Sequence, residues 1–538
     1  DNDNTVDILD GSNALHMGAG ADTLTVVSGN NTIDAGEGEN LLTLKGGTNT
    51  LTAGDDVNTL EVTGGTNSAT LGAGADVIRV RGGVNRIDVG DGENDIALSA
   101  GNSAISAGDG DNTIVLTGGV NTVTAGDGVN TIDLVDGVNF GALGSGADSV
   151  TATGGRNVMD VGEGDNWVTL VAGASTITAG DGENRIEIQA GTNRVVLGDG
   201  GNTVDVMDGT NDLTAGAGAD HVMVASGNNT LRSGSGADVI TLNDGVNSVQ
   251  AQAGADSIIA VSGENQIDAG DDEDTITLTD GNNTVWGGSG ADSITADAGH
   301  NLIDAGADDD TIKLNNGTNS VFAGSGNDTI KAVSGINTID AGSDDDTIDL
   351  INGTNLVFGG SGADSITALG GRNVIDGGVG SDTITAVNGN NTVTAGDDND
   401  VIALNDGTNV VNAGSGNDSI QVSDGVNVID GDEDNDTIIV TNGLNTIAAG
   451  DGDDTIRLND GTNSVSGGSG ADTITAVSGT NTIVAGDDAD VIKLIGGYNT
   501  VLGGSGADRI TASGGTNTIA TDGGTNTVVL MGGYNSVT

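Results

Sequence analysis

An 18-residue unit repeats along the whole chain, from Asp1 to Thr538, without insertion or deletion. One copy, residues 468–485, reads GSGADTITAVSGTNTIVA, and the next, residues 486–503, reads GDDADVIKLIGGYNTVLG. When Gly468 is numbered position 1, position 12 is Gly in all thirty units. A short, fixed period predicts stacked coils that cover one another, rather than a domain with a single globular core.

The apolar positions of the unit come in two pairs, 7 with 9 and 16 with 18. Position 7 is always Ile, Leu or Val, and position 16 is a large apolar residue in twenty-eight units. Residues two apart on a strand share a face, so each unit predicts two short strands that turn their paired positions inward. A helix is disfavoured because each of the frequent glycines would cost it about 1 kcal/mol. We therefore predict an all-β fold, a parallel β-solenoid of about thirty coils with two parallel sheets over a thin aliphatic core.

The register predicts one continuous solenoid over residues 1–538, with three regions that differ in their turns. Residues 1–215 have Asn-rich turns, residues 216–521 have Asp-rich turns, and residues 522–538 form the last coil. At roughly 4.8 Å per coil, such a rod would be about 140 Å long.

The charge of the chain limits its partners. The formal net charge is −65, from 79 acidic and 14 basic residues, and there is no cysteine. Such a chain is unsuited to the nucleic-acid backbone and to anionic membrane surfaces. No segment approaches the ~20 apolar residues of a membrane span, so we expect neither nucleic-acid binding nor membrane insertion.

Acidic residues recur in the first turn of the unit, at position 5. This position is Asp in twenty units, including seventeen consecutive units from Asp220 to Asp508. Stacked carboxylates about 4.8 Å apart would repel one another by about 1 kcal/mol or more per pair. A bound hard cation relieves this repulsion, and Ca²⁺ accepts the carboxylate and carbonyl oxygens that Asp and a Gly-rich turn supply.

Three segments, residues 359–367, 467–475 and 503–511, match the nonapeptide G-G-x-G-x-D-x-U-x throughout. In these repeats the chain resembles an RTX (repeats-in-toxin) β-roll along its entire length. The resemblance implies that two nonapeptides make one coil. It also implies that several Ca²⁺ ions lie between the turns of successive coils, bound by Asp carboxylates and turn carbonyls.

Carried over to this chain, the resemblance assigns two sets of candidate ligands. The position-5 set is Asp220, Asp238, Asp256, Asp274, Asp292, Asp310, Asp328, Asp346, Asp364, Asp382, Asp400, Asp418, Asp436, Asp454, Asp472, Asp490 and Asp508, with Asp22, Asp76 and Asp148 as isolated members. The position-3 set, where Asp replaces Gly in the Asp-rich turns, is Asp272, Asp308, Asp344, Asp398, Asp434 and Asp488.

The second turn of the unit departs from the family pattern, because position 14 is Asn in twenty-eight units. Asn tolerates left-handed turn conformations, and stacked amides form ladders. We expect this Asn column to be a structural ladder rather than a second row of calcium sites. In residues 1–215, position 5 is mostly Asn as well, and whether those turns bind Ca²⁺ stays open.

No catalytic constellation appears in the sequence. His16, His221 and His300 fall at different positions of the unit, and the paired carboxylates all belong to the repeat. We therefore expect a protein that is not an enzyme. Trp286, Phe322 and Phe358 lie thirty-six residues apart at position 17, which faces outward. A functional surface, either a lateral contact or a sugar-binding stripe, and chance exposure of three residues are equally favoured.

These features favour an extracellular or cell-surface structural protein stiffened by Ca²⁺, such as a filament, surface-layer or matrix fibre. We expect copies to stack head to tail, because neither end of the chain departs from the ordinary repeat. Cell-surface or matrix polysaccharide is a further expected partner. The alternative is a calcium-triggered repeat region or stalk of a larger adhesin, toxin or enzyme exported by type I secretion. An ice-binding solenoid is less favoured, because the outward positions mix Thr with charged residues.

Overall fold

The computed structural model describes residues 2–538 and divides into two compact units, residues 2–270 and 271–538. In each unit the described chain is built of strands and turns, in two parallel sheets of fifteen strands. The predicted all-β solenoid of 18-residue coils is therefore confirmed within each unit, while continuity over residues 1–538 stays a prediction. Among the described residues, no helix has the length and apolarity to cross a membrane.

The first strand of every coil has four residues and covers positions 6 to 9. In the first unit these strands recur every eighteen residues from Thr5–Ile8 to Ser257–Ala260, and in the second unit from Thr275–Leu278 to Thr527–Leu530. Neighbouring strands pair in parallel, and each residue pairs with the residue at the same unit position in the next coil, as Thr347 does with Ser365 and Leu350 with Ala368. The constant step keeps each unit position in a straight column along the sheet.

The second strand of the coil begins at position 13 and varies in length. In the first unit it has five residues from Ser12–His16 to Thr210–Thr214, and eight in Asn228–Ser235, Val246–Ala253 and the boundary strand Glu264–Asp271. In the second unit it has eight residues from Asn282–Ser289 to Thr462–Ser469, and the last four are Thr480–Gly486, Tyr498–Gly504, Thr516–Ala520 and Tyr534–Val537. The lengthened strands continue into the Asp-rich turns and pair there, as Gly342 does with Gly360.

The core of each unit is the predicted aliphatic layer. In one coil, Ile366 and Ala368 of the first strand and Ile375 of the second strand are all buried. One coil departs from the pattern because Gly141 occupies position 16 without a side chain. The side chain of Met159, one coil further on, occupies the space that a Cβ on Gly141 would take. An unbranched, flexible Met thus fills the gap in this part of the core.

The turn after the first strand requires glycine at position 12, where φ is positive in every coil, for example +98° at Gly317. An added Cβ on Gly317 would lie 2.6 Å from the carbonyl oxygen of Gly299 in the coil before. Any other residue would therefore be strained in this conformation and would also push the coils apart.

The Asn column, formed by the position-14 residues from Asn13 to Asn535, closes this turn as the predicted amide ladder. Nδ2 of Asn355 donates to Oδ1 of Asn373 at 2.7 Å and to the carbonyl oxygen of Asn352 at 3.3 Å. The pattern recurs along each unit. Ser103 replaces Asn in one coil and leaves the buried Oδ1 of Asn121 without a hydrogen-bond partner among the described residues.

Candidate metal-binding turns

The Asp column, formed by the twenty position-5 aspartates named above, lies at the turn that leads into the first strand. All of its members are buried, with Asp364 1% exposed. In nineteen members Oδ1 accepts a hydrogen bond from the backbone N–H of the position-5 residue in the coil before, as Oδ1 of Asp364 accepts from Asp346 at 2.8 Å. One carboxylate oxygen therefore joins successive turns, and the sequence did not predict that these acidic groups are buried.

The second carboxylate oxygen, Oδ2, has no hydrogen-bond donor in most of the column. Within the part of the chain that the structure describes, this oxygen is buried and unpartnered in Asp22, Asp76, Asp148, Asp220, Asp292, Asp310, Asp328, Asp346, Asp364, Asp382, Asp400, Asp418, Asp436, Asp454, Asp472, Asp490 and Asp508. A buried polar atom without a partner costs about 1–3 kcal/mol, and more when it is charged. A bound cation, or a hydrogen-bond donor from outside the chain, would remove this cost at each of the seventeen atoms.

The Asn residues at position 5 show which atom the Asp turns lack. Nδ2 of Asn202 donates to the carbonyl oxygens of Gly200 at 3.0 Å and of Ala215, thirteen residues further on, at 2.8 Å. Asn184 likewise donates to the turn carbonyls of Gly180 at 3.1 Å and Gly182 at 3.2 Å. In these coils the side-chain amide satisfies the turn carbonyls without any added ion.

In the Asp turns an oxygen stands where the amide nitrogen would be. A Cβ added to Gly359 would overlap both Oδ2 of Asp364 and the carbonyl oxygen of Gly377, which is thirteen residues after Asp364. The same overlap recurs at other position-18 glycines, with Asp292, Asp382, Asp436 and Asp472. Two acceptor oxygens thus converge with no donor between them, an arrangement that suits a hard cation with oxygen ligands.

Burial raises the pKa of these carboxyl groups above their ordinary value of 3.8. The pKa rises to about 8 in Asp310 and Asp436, with further contributions from neighbouring carboxylates. It rises to about 7 in Asp346 and to about 6 in Asp292. In each case the hydrogen bond from the preceding coil opposes the rise only in part, so the turns favour either a proton or a neutralising cation.

The position-3 aspartates lie outside this buried row. All six are exposed and have positive φ, for example +80° at Asp344, which Asp adopts more readily than most residues. The carboxylate of Asp344 raises the pKa of both Asp346 and Asp328, so it lies near two buried carboxyl groups. The structure therefore places this set at the rim of the turns, where it adds negative charge.

The side chains around the Asp column limit which ligands a metal site there can have. Among the described residues, no three or more His, Asp and Glu side chains form a group that would hold a metal ion. Each coil with an Asp at position 5 contributes one buried carboxylate, so a cation here would need backbone carbonyls to complete its shell. The histidines do not converge, since His16 forms an exposed pair with Asp34 at 2.6 Å, and His221 and His300 lie in different strands.

Comparison with known proteins identifies the repeat. The family model of the RTX calcium-binding nonapeptide repeat matches the chain many times, and its matches together cover residues 16–312, 322–474 and 496–528. A search of curated proteins found no match to the chain. The matches extend over the Asn-rich turns from residue 16 to 215 as well as over Asp-rich turns, although the hydrogen bonds of the two kinds of turn differ.

Proposed function

Because the chain belongs to the RTX calcium-binding nonapeptide repeat family, we propose that it is a calcium-binding structural protein that works outside the cell. RTX repeats are typical of secreted proteins, and the absence of cysteine is compatible with export that needs no oxidative folding. In this role Ca²⁺ converts an acidic chain into a stiff β-solenoid.

The observation that carries the proposal is the row of buried, unpartnered Oδ2 atoms in successive coils. Each Asp-column residue would contribute Oδ2, and the position-18 carbonyl thirteen residues further on would contribute a second oxygen, as Asp364 and Gly377 do. The exposed position-3 carboxylates add negative charge beside these oxygens. Ca²⁺ suits such a set because it accepts six to eight oxygens in flexible geometry, whereas Mg²⁺ demands a near-ideal octahedron.

Far-ultraviolet circular dichroism of the full chain tests the proposal. We expect a β spectrum in millimolar Ca²⁺, and a large loss of it in excess EDTA, because binding energy becomes folding energy when the site forms only in the folded state. Titration of the calcium-free protein should give multiple sites. An unchanged spectrum in EDTA, together with no measurable Ca²⁺ binding, would refute the proposal.

A second role is favoured by the division between the two kinds of turn. The same repeats would serve as a calcium-triggered folding region, or as the stalk of a larger secreted adhesin, toxin or enzyme. The Asn turns provide a part that needs no ion, and the Asp turns provide a part that folds when Ca²⁺ rises. A catalytic or adhesive domain encoded in the same reading frame would favour this role over that of an independent fibre.

We further propose that copies stack head to tail into a filament, a proposal that the uniform repeat supports. Because every coil has the same register, a coil of one copy is a suitable neighbour for a coil of another. Electron microscopy of the purified chain in Ca²⁺ is the test, and we expect fibres whose length grows with protein concentration. Particles of constant length at all concentrations would show that copies do not stack.

A further inference from the structure

One outward column of the second unit alternates aromatic and acidic residues. The aromatic stripe consists of Trp286, Asp304, Phe322, Asp340, Phe358 and Asp376, which are neighbours in consecutive parallel strands. The three aromatic side chains are 36%, 47% and 39% exposed, in chain order. The stripe is therefore a regular surface feature, with one aromatic ring in every second coil.

The neighbours of the stripe are uncharged. The backbones of Asp304 and Asp340 pair with neighbouring strands, but within the described residues their carboxylates form no hydrogen bond or ion pair, so both carboxylates remain available as acceptors. The adjacent outward column, at position 15, consists of Thr284, Leu302, Ser320, Thr338, Leu356 and Val374. The two columns thus combine aromatic rings, carboxylate acceptors and apolar or small polar side chains, and neither column contains a basic residue.

The spacing of the rings selects a kind of ligand. Two strands span about 10 Å, so the rings of Trp286 and Phe322 recur at that interval along the sheet. In an extended β-1,4-linked glycan each sugar is turned over relative to the last, and every second sugar presents the same face. The two-sugar repeat is close in length to two coils. Alternate sugars can therefore stack on successive rings.

We propose that the aromatic stripe binds a neutral, extended β-1,4-linked polysaccharide that runs along the solenoid. The apolar C–H face of alternate sugars packs on Trp286, Phe322 and Phe358, and hydroxyl groups donate to Asp304 and Asp340. The carboxylates disfavour anionic polysaccharides by like-charge repulsion. Glycan binding at the stripe requires only that the second unit is folded. A failure of glycan binding and a failure of calcium binding are therefore separate results.

Isothermal titration in Ca²⁺ with cellohexaose, a β-1,4-linked glucan, tests this proposal on the full chain. The test variant is Trp286→Ala/Phe322→Ala/Phe358→Ala, and the matched control Phe140→Ala/Trp167→Ala removes exposed aromatic residues outside the stripe. We expect the test variant to bind at least about tenfold more weakly and the control to bind like the wild type. Circular dichroism verifies that both variants stay folded.

Maltohexaose, an α-1,4-linked glucan that curves, tests the spacing argument. We expect it to bind much more weakly than cellohexaose, and equal affinities would overturn the match between the rings and the extended glycan. Two further results would overturn the proposal: no binding of cellohexaose by the wild type, or equal binding by the wild type and the test variant. If the triple substitution instead abolishes self-association while no glycan binds, the stripe is a contact between copies.

Discussion

The backbone N–H of Asn202 donates to Oδ1 of Asp220 at 2.6 Å, where the position-5 residue changes from Asn to Asp. Nδ2 of Asn202 also donates to turn carbonyls, whereas Oδ2 of Asp220 is buried without a partner. One kind of turn thus completes its own hydrogen bonds, and the other needs something from solution. The difference is a single atom in each side chain.

Chelation is expected to affect the two kinds of turn differently. In excess EDTA, amide hydrogen exchange of the full chain should remain slow in most of residues 23–215 and become fast in residues 220–508. The reason is that, without Ca²⁺, a buried carboxylate is left unneutralised in every coil of residues 220–508. Mass spectrometry of the peptides measures this directly, and uniform loss of protection along the chain would contradict it.

Substitutions of Asp364 separate its proposed role as a calcium ligand, through Oδ2, from its role as a hydrogen-bond acceptor for the preceding coil, through Oδ1. In Asp364→Asn the new amide can donate to the Gly377 carbonyl, as Asn202 does to Ala215. We expect lost Ca²⁺ binding at that coil but a local gain of about 1–2 kcal/mol in EDTA. Asp364→Ala should lose both calcium binding and stability. Asp349→Asn is the control, because Asp349 has the same charge and is exposed in the strand Thr347–Leu350, away from the turn. Calcium titration and local hydrogen exchange measure the outcomes.

The calcium-free protein is expected to be most stable in mild acid. Burial raises the pKa of Asp310 and Asp436 to about 8, and of Asp346 to about 7, from 3.8. The folded state therefore binds protons more tightly than the unfolded state. This contribution is complete below about pH 4 and is lost as pH rises through 6 to 8. Thermal melts of calcium-free protein should show a falling Tm across that range. A Tm that rises from pH 4 to 8 would contradict the expectation.

Repair of the Asn column should stabilise the first unit. Ser103→Asn places an Nδ2 donor beneath the unpartnered Oδ1 of Asn121, in the geometry that joins Asn67 to Asn85 at 2.8 Å. We expect a gain of about 1–2 kcal/mol, seen as slower hydrogen exchange near residues 103–121. Ser106→Asn, at an exposed position of the same strand, is the control and should have little effect. Faster exchange in Ser103→Asn would show that the larger side chain does not fit.

Much of the fold was predictable because the repeat encodes it directly. The paired apolar positions, such as Ile366 and Ala368, identified the strands and their inward face, and the nearly constant Asn beside an invariant Gly in one turn predicted the amide ladder. These inferences succeed because one column repeated thirty times averages out the exceptions, such as Gly141 and Ser103.

The turns were less predictable. Position 5 lies outside the alternating pattern of the strands, so periodicity could not show that Asp364 is buried. The sequence also gave no sign that the second strand lengthens through the Asp-rich turns, as in Thr354–Ser361. The donor role of Asn202 depends on the path of the backbone around it. The sequence contained one signal for this difference, because position 5 holds Asn in some coils and Asp in others. The two side chains have the same shape, but only the amide of Asn donates a hydrogen bond to the turn carbonyls.

Every strand pairing described within each unit joins residues eighteen apart, whichever coil is considered. A gene for such a chain can gain or lose eighteen codons, or any multiple, and the flanking coils still find equivalent partners. A gain or loss of any other number of codons moves core residues into turns or solvent. The length of the protein is therefore free to change through recombination between repeats, while the fold of each coil is inherited unchanged.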